Sequence, residues 1–263
     1  MCGQAGLILA SNGRRNEEKL AHLRDVFTRL LALNQFRGEH ATGIASVNVD
    51  GSYRLLKRPI KASEFVCFDE YRNHMNELSN KTTLIMGHAR LATVGSIENT
   101  GNCHPIKSGC CLATANGTIF NADELFKKLK LRRFAEVDSE LIARLADKHA
   151  PDGEILVRNF VHSLRLCRGQ ISAVVASFMD PCKVIILKGN RPLSLRYSAK
   201  YRAIIYSSDE LHLDIVLDTD GDWKPLEMEY MSCGIFNAKD LPTFEVLPFN
   251  FIRTRRVTIS CAK

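Results

Sequence analysis

Met1-Cys2-Gly3 puts a cysteine second in the chain. Once an aminopeptidase removes Met1, a step favoured by the small side chain that follows, Cys2 carries a thiol and a free α-amine on adjacent atoms. An α-amine titrates near ~7.7 to 8.0 and a thiol near ~8.5, so at neutral pH part of the amine is unprotonated and can take the thiol proton, directly or through one water. Activation of a side chain by the amine of its own residue is a known nucleophile arrangement. Three other segments carry complementary chemistry. The Asn116 side-chain amide and the Gly117 N–H can stabilise an oxyanion, Arg90 offers a planar fork to a carboxylate, and Asp138 offers a countercharge to an ammonium. An amide, a carboxylate and an ammonium in one ligand describe glutamine. Taken singly, each residue has an ordinary role: Arg90 in an ion pair, Asn-Gly in a turn, Asp138 as a helix N-cap. The assignment therefore depends on their meeting at one mouth.

The elements that must position them follow from periodicity. Residues 3–8 form a glycine-punctuated strand that fixes the terminus. Residues 17–34 carry Leu20, Leu23, Phe27, Leu30 and Leu31 near helical spacing. Strands at 44–48 and 53–57 flank Asp50-Gly51, a hairpin signal. A helix is predicted over 64–78 and a buried strand over 82–87, whose end delivers His88 to Gly95 into a loop. The apolar run 110–115 ends in Asn116-Gly117, read as a tight turn. Asn121, with Glu124 three residues on, predicts a capped helix to about 129, and Asp138 or Ser139 caps the next, 140–148. A third helix opens at Pro151-Asp152. Strands follow at 171–177, 183–188, 193–197 and 203–207, then a helix capped by Asp209 to about 217, then strands at 227–236 and 244–252. Strands, helices and strands again predict an α+β architecture in which helices cover two stacked sheets. With no repeat, linker or low-complexity tract, residues 1–263 are expected to form one domain.

Composition limits the alternatives. A chain of 263 residues, 45% hydrophobic and 25% charged, is ordinary globular material. It contains no run of eighteen apolar residues and no secretory signal, so a cytoplasmic location without membrane insertion is expected. Nine cysteines without C-x-x-C spacing suit reduced, mostly buried thiols. The net charge of +7 raises the question of nucleic acid. Its basic residues are scattered, concentrated only at 127–133 and 253–256, and without a recognisable binding pattern they read as a solvated surface. Cys103, His104, Cys110 and Cys111 suggest a metal, but two adjacent cysteines are poor partners for one tetrahedral ion. Neither a metal nor a cofactor is expected.

The order of these motifs resembles the glutaminase domain of class II glutamine amidotransferases, within the N-terminal-nucleophile hydrolases. Met1-Cys2-Gly3 through Gly6 resembles the family's start. Arg37-Gly38-Glu39-His40-Ala41-Thr42-Gly43 resembles its Arg-Gly segment, and Gly87-His88-Ala89-Arg90-Leu91-Ala92-Thr93 its Gly-His-x-Arg segment. Cys103-His104-Pro105, Asn116-Gly117-Thr118-Ile119-Phe120-Asn121 and Asp138-Ser139-Glu140-Leu141-Ile142 follow in the family's order, with weaker likeness after Arg168. The resemblance implies a four-layer α-β-β-α sandwich and hydrolysis of glutamine through a γ-glutamyl thioester. It implies Cys2 as nucleophile, Asn116 and Gly117 as oxyanion hole, Arg90 and Thr93 at the substrate carboxylate, and Asp138 at its ammonium. His40, Leu91, Val94 and Ala115 depart from the family pattern and argue against its sugar and purine subfamilies. No synthase motif is present, so a separate synthase partner receiving the ammonia is expected. Two alternatives share the fold: an N-terminal-cysteine acylase, against which the Arg90–Asp138 pair argues, and a catalytically idle binding member.

Overall fold

The computed structural model describes residues 2–218 and 220–253, so Met1, the basic run 254–256 and Cys261 lie outside the described residues. In chain order the elements are β1 (Gly3–Leu9), α1 (Glu17–Leu33), β2 (Ala41–Asn48), β3 (Tyr53–Arg58), α2 (Ala62–Phe65), α3 (Asp69–Asn76) and β4 (Thr82–Arg90). There follow β5 (Ile106–Ser108), β6 (Cys111–Ile119), α4 (Ala122–Lys128), α5 (Glu140–Lys148), α6 (Val157–Ser163), β7 (Arg168–Ser177) and β8 (Asp180–Lys188). The last third contains β9 (Ser194–Ser198), β10 (Ala203–Ser207), α7 (Glu210–Leu217), β11 (Lys224–Leu226), β12 (Ser232–Asn237), β13 (Phe244–Pro248) and β14 (Ile252–Arg253).

Two sheets result, ordered β11-β9-β10-β1-β4-β2-β3 and β13-β12-β8-β7-β6-β5, with β14 beside β7. Three apolar clusters define the layers. Leu23, Phe27 and Leu30 of α1, with Leu213 of α7, pack on Leu7, Ile44 and Ile205 of the first sheet. Leu141, Ile142 and Leu145 of α5, with Phe160 of α6, pack on Ala113, Ala173 and Val175 of the second. Between the sheets, Ile8, Leu84 and Met86 meet Leu112, Val174 and Ile186. Alternation along each strand thus feeds one face to helices and the other to the facing sheet, and the chain is an α+β sandwich in four layers, α-β-β-α.

Local chemistry explains where elements begin. Asn16 caps α1 by accepting from the Lys19 N–H, and Glu17 and Glu18 lie in its first turn, where acidic groups suit the helix dipole. The Asp50-Gly51 hairpin forms as its sequence predicts, with Gly51 at φ +81° and Asp50 accepting from the Ser52 N–H. Asp209 caps α7 through the Leu211 N–H. Other expectations are corrected. The helix over 64–78 is two, because Phe68 is extended; this lets Phe65 and Tyr71 both bury and meet edge-on at 5.5 Å. The helix opening at residue 151 begins only at Val157, after a turn through Gly153 at φ +86°. The strand over 227–236 is interrupted by a turn through Met231 at φ +62°, and Asn121 does not cap α4 but bonds Leu166 O and the Arg168 N–H. Asn116-Gly117 is not a turn: β6 runs through it, paired to Ser172 and Ile171 of β7.

One buried polar residue ties β1 to the second sheet. Gln4 is fully buried, donates to Ser172 O at 3.2 Å and accepts from the Thr114 hydroxyl at 2.8 Å, while its N–H donates to Ser208 Oγ. Gln4→Leu leaves both sheet partners unsatisfied in a dry interface, so it should cost about 2–4 kcal/mol. Urea denaturation followed by circular dichroism measures this. Among the described residues, no helix is long and apolar enough to cross a membrane. The eight described cysteines are all free, six of them buried, as the spacing predicts.

Candidate active site

The central strands β1 and β4 of one sheet and β6 of the other bring their site-bearing segments to one edge of the sandwich. Cys2 precedes β1, Arg90 closes β4, and Asn116-Gly117 lies near the end of β6. The segment before α5 adds Asp138. A narrow cavity of about 40 Å³ is lined by Cys2, Arg90, Thr93, Gly117 and Asp138 among others. A wider one of about 210 Å³ touches Cys2, Arg37, Thr93, Asn116, Gly117 and Arg191. Cys2, Leu91, Thr93 and Gly117 line both. A larger groove, about 370 Å³, lies between residues 154–159 and strands β12–β13 and is lined by no thiol, hydroxyl or imidazole. All six residues singled out in the sequence therefore face one place.

The Cys2 thiol is half-buried against Leu91, whose N–H donates to Sγ at 3.3 Å and whose carbonyl lies 3.5 Å from it. Burial pushes the thiol above its ordinary pKa, while the Leu91 N–H and the Arg90 charge oppose the shift. A thiol so placed does not ionise unaided at neutral pH and needs a base beside it. Its backbone is anchored as well. Arg37 Nε donates to Cys2 O at 3.1 Å, and Arg37 is itself paired at 2.9 Å with Asp209.

Asn116 is buried, and both its amide atoms lack a hydrogen-bond partner among the described residues. Gly117 has φ +126°, and a Cβ there would stand 1.8 Å from Gln170 O, so only glycine fits. Asp138 does not cap α5; its Oδ2 accepts the Ile119 N–H at 2.5 Å, and Ser139 is the residue at the helix start. Burial raises the Asp138 pKa, against the pull of that N–H.

Arg90 is buried and donates to the carbonyls of Val94, Gly95 and Ser96, from 2.8 to 3.2 Å. In this structure the guanidinium holds the loop that carries Thr93. That loop has further supports, whose structural part could not be read from the sequence. Glu136 accepts from the Ser96 N–H at 2.7 Å and from Asn102 Nδ2 at 2.6 Å, and the Ala92 N–H donates to His40 Nδ1 at 2.9 Å. Asp209, Gln4, Asn102 and Glu136 were missed because their partners lie 34 to 204 residues away, where no spacing rule reaches.

Behind the site, His88 and His104 are buried with ring centroids 4.3 Å apart. Burial holds His88 down at about 4, with Arg90 adding to the shift, and holds His104 well below its ordinary value. His74, also buried and bonded to Ser46 Oγ, is likewise depressed to about 4. Depressed imidazoles are neutral when folded but take protons when unfolded below about pH 6.5. Stability is therefore full above pH 6.5 and falls as pH drops towards 4, by roughly 3 kcal/mol for each of His74 and His88. Chemical denaturation at pH 7 and pH 4.5 reads the slope.

Among the described residues, one cluster could hold a metal ion: Cys110, Cys111 and Asp147, with ligand atoms within 4.8 Å of one another. Asp147 already accepts from Ser108 Oγ at 3.1 Å and the Cys110 N–H at 3.3 Å, which fixes the turn before β6. His104, grouped with these cysteines in the sequence, has both ring nitrogens engaged elsewhere.

No family model matches the chain. It is 25% identical over 256 residues to the glutamine–fructose-6-phosphate aminotransferase (isomerizing) of Aeropyrum pernix, an alignment that covers 94% of this chain and 39% of that protein. Among solved structures, the glutamine phosphoribosylpyrophosphate amidotransferase of B. subtilis superposes with a TM-score of 0.69 at 20% identity, over 95% of this chain and 49% of that one. In sequence the chain is similar to a glutamine-dependent aminotransferase, and in fold to a glutamine amidotransferase. A class II glutamine aminotransferase domain protein from Silicibacter pomeroyi shares the fold, with a TM-score of 0.55 at 14% identity. These solved structures share the fold built up above from the apolar clusters. The chain spans about two fifths of its Aeropyrum relative, so what the whole relative does is not transferred with the fold.

Proposed function

We propose that the chain hydrolyses glutamine to glutamate and ammonia through a γ-glutamyl thioester on Cys2. The observation that carries this reading is the Asn116 amide, buried and unpartnered on the wall of the cavity that Cys2 opens into. Buried polar groups are almost always hydrogen-bonded, and a pair of orphans at a nucleophile calls for a ligand. In the mature protein, with Met1 removed, the Cys2 amine takes the thiol proton and Sγ attacks the γ-carbonyl carbon. The carbonyl oxygen, now an oxyanion, accepts from Asn116 Nδ2 and the Gly117 N–H. Collapse breaks the C–N bond as the amine returns its proton to the leaving nitrogen, so ammonia departs. The amine then deprotonates a water, which attacks the thioester carbon; the C–S bond breaks and the thiol is restored. Asp138 receives the substrate ammonium, and Arg90 and Thr93 its carboxylate, which takes the place of a loop carbonyl on the guanidinium.

Asp138 tests the substrate assignment. Asn at this position keeps an acceptor for the Ile119 N–H but removes the charge, so Asp138→Asn should raise KM for glutamine with a loss of about 1.5–3 kcal/mol in kcat/KM. Because burial raises this carboxyl, binding should weaken as pH falls from a point above the usual aspartate range, and the variant should lose that dependence. A KM unchanged in the variant would remove Asp138 from the substrate.

We further propose that residues 1–263 act as one glutaminase domain serving a separate synthase subunit. Ammonia in neutral water is mostly ammonium and no nucleophile, so productive use needs an acceptor enzyme docked at the site. The relative from Aeropyrum couples glutamine to a sugar phosphate by its name, which supports transfer over simple hydrolysis. Comparing glutamate release with and without a co-purified partner tests the coupling, and full turnover by the lone chain would count against it.

A further inference from the structure

We infer that His88 and His104 are positioning residues that clamp the peptide of Ala115 and thereby aim the Asn116–Gly117 oxyanion donors. The inference rests on the glutaminase reading of the site and adds to it a pair of residues to which that reading gives no part.

The need for a clamp comes from the sheet. β6 is paired to β7 through its whole length, but its other neighbour, β5, ends with Ile106 opposite Ala113. Among the described residues, no strand lies beside the edge at Ala115, two residues on. Two imidazoles stand there instead. The Ala115 N–H donates to His104 Nδ1 at 3.0 Å, and the Ala115 carbonyl lies 3.1 Å from His88 Nε2. A carbonyl only accepts, so His88 carries its proton on Nε2; an amide N–H only donates, so His104 Nδ1 is bare and its proton is on Nε2. That second proton is directed at Ser139 Oγ, 2.8 Å away, beside Asp138. Both rings are thus fixed as the neutral Nε2–H tautomer, and their contact at 4.3 Å makes each a wall for the other.

The next residue is Asn116. Its amide lies close enough to His88 to favour a proton on that ring, yet neither amide atom is in hydrogen-bond geometry with any described residue, so the two rings border Asn116 as well as Ala115. The placing of its Nδ2, and of the Gly117 N–H that follows, therefore depends on the backbone at Ala115 and on the His88 ring beside it. The charged and titratable groups around the rings are Arg90, Lys57, Cys103, Cys2 and Asp138, and the charges of Arg90 and Lys57 disfavour a proton on His104. A proton on His104 Nδ1 would face the Ala115 N–H and open the clamp.

The test is a double-mutant cycle in the full chain, with glutamine as substrate. His104→Leu should lower kcat about 100-fold, as loss of an oxyanion donor does, with KM within about threefold of wild type. His104→Asn places an acceptor at the Nδ1 position and should recover most of that loss. Asn116→Ala should cost about 10²- to 10³-fold, and adding His104→Leu to it should cost well under a further ~100-fold, since only the aim of the Gly117 N–H is then left to lose. Additive losses, an effect on KM alone, or an Asn variant as poor as the Leu variant would overturn the clamp. If His104→Leu does not fold, ¹⁵N shifts of the wild-type imidazoles decide: both rings should be neutral Nε2–H at pH 6, and an Nδ1–H or a cationic ring overturns the inference. Wild-type protein without Cys2-dependent glutamine turnover would overturn the glutaminase reading alone, leaving the clamp to the same shifts.

Discussion

Cys2→Ala should abolish glutamine hydrolysis, a fall of roughly 10⁶-fold in kcat, because thioester chemistry has no second nucleophile to fall back on. The thiol is half-buried against Leu91 and lines both cavities at the site edge. The alanine variant removes one sulfur atom and leaves Arg90, Thr93, Asn116, Gly117 and Asp138 where they are. Glutamine affinity, measured by calorimetry on the variant, should therefore stay close to that of wild type while turnover vanishes. Cys2→Ser is expected to be nearly as inactive, since a hydroxyl is far less acidic than a thiol already held above its usual pKa by burial. Turnover retained by either variant would mean that another group attacks the substrate.

Gly117→Ala should be the most damaging substitution of a residue that has no side chain to lose. At φ +126° an L-residue is strained, and the added Cβ would stand 1.8 Å from the Gln170 carbonyl of the paired strand β7, a backbone atom that cannot step aside. The strain should cost at least about 3 kcal/mol of stability. To relieve it, β6 must part from β7 at this point, which swings the Gly117 N–H away from the oxyanion, so kcat should drop by roughly 10²- to 10³-fold even in the folded fraction. Thermal unfolding and glutamine kinetics on the same preparation separate the two effects. A variant as stable and active as wild type would show that this N–H has no part in the reaction.

Much of the site could be read from the sequence because its residues lie in short motifs at the ends of strongly periodic elements. Cys2, Arg90, Thr93, Asn116, Gly117 and Asp138 could each be named, and the structure brings all six to one edge. The layering was legible too, since the short apolar runs in 82–87 and 203–207 and the helical spacing in 17–34 reflect burial on both faces or on one. What the sequence concealed depends on pairing at a distance. Asn-Gly favours a turn when isolated, yet β7 offers a partner for every residue from Cys111 to Ile119, and the ladder overrides the local preference. Asp138 reads as a helix cap until the Ile119 N–H, 19 residues back, is seen to occupy it. Arg90 reads as a free fork, whereas its own loop supplies three carbonyls. The Arg37–Asp209 pair and the Gln4 bridge, 172 and up to 168 residues apart, leave no mark on local composition at all.

The central claim is that Cys2, freed of Met1, is a nucleophile in a pocket shaped for glutamine. Intact mass of the purified chain before and after a glutamine-mimicking diazoketone tests it most directly. A starting mass lacking Met1 is expected, with a single adduct that excess glutamine blocks and that Cys2→Ala does not form. Retention of Met1, or an adduct that glutamine does not prevent, would contradict it.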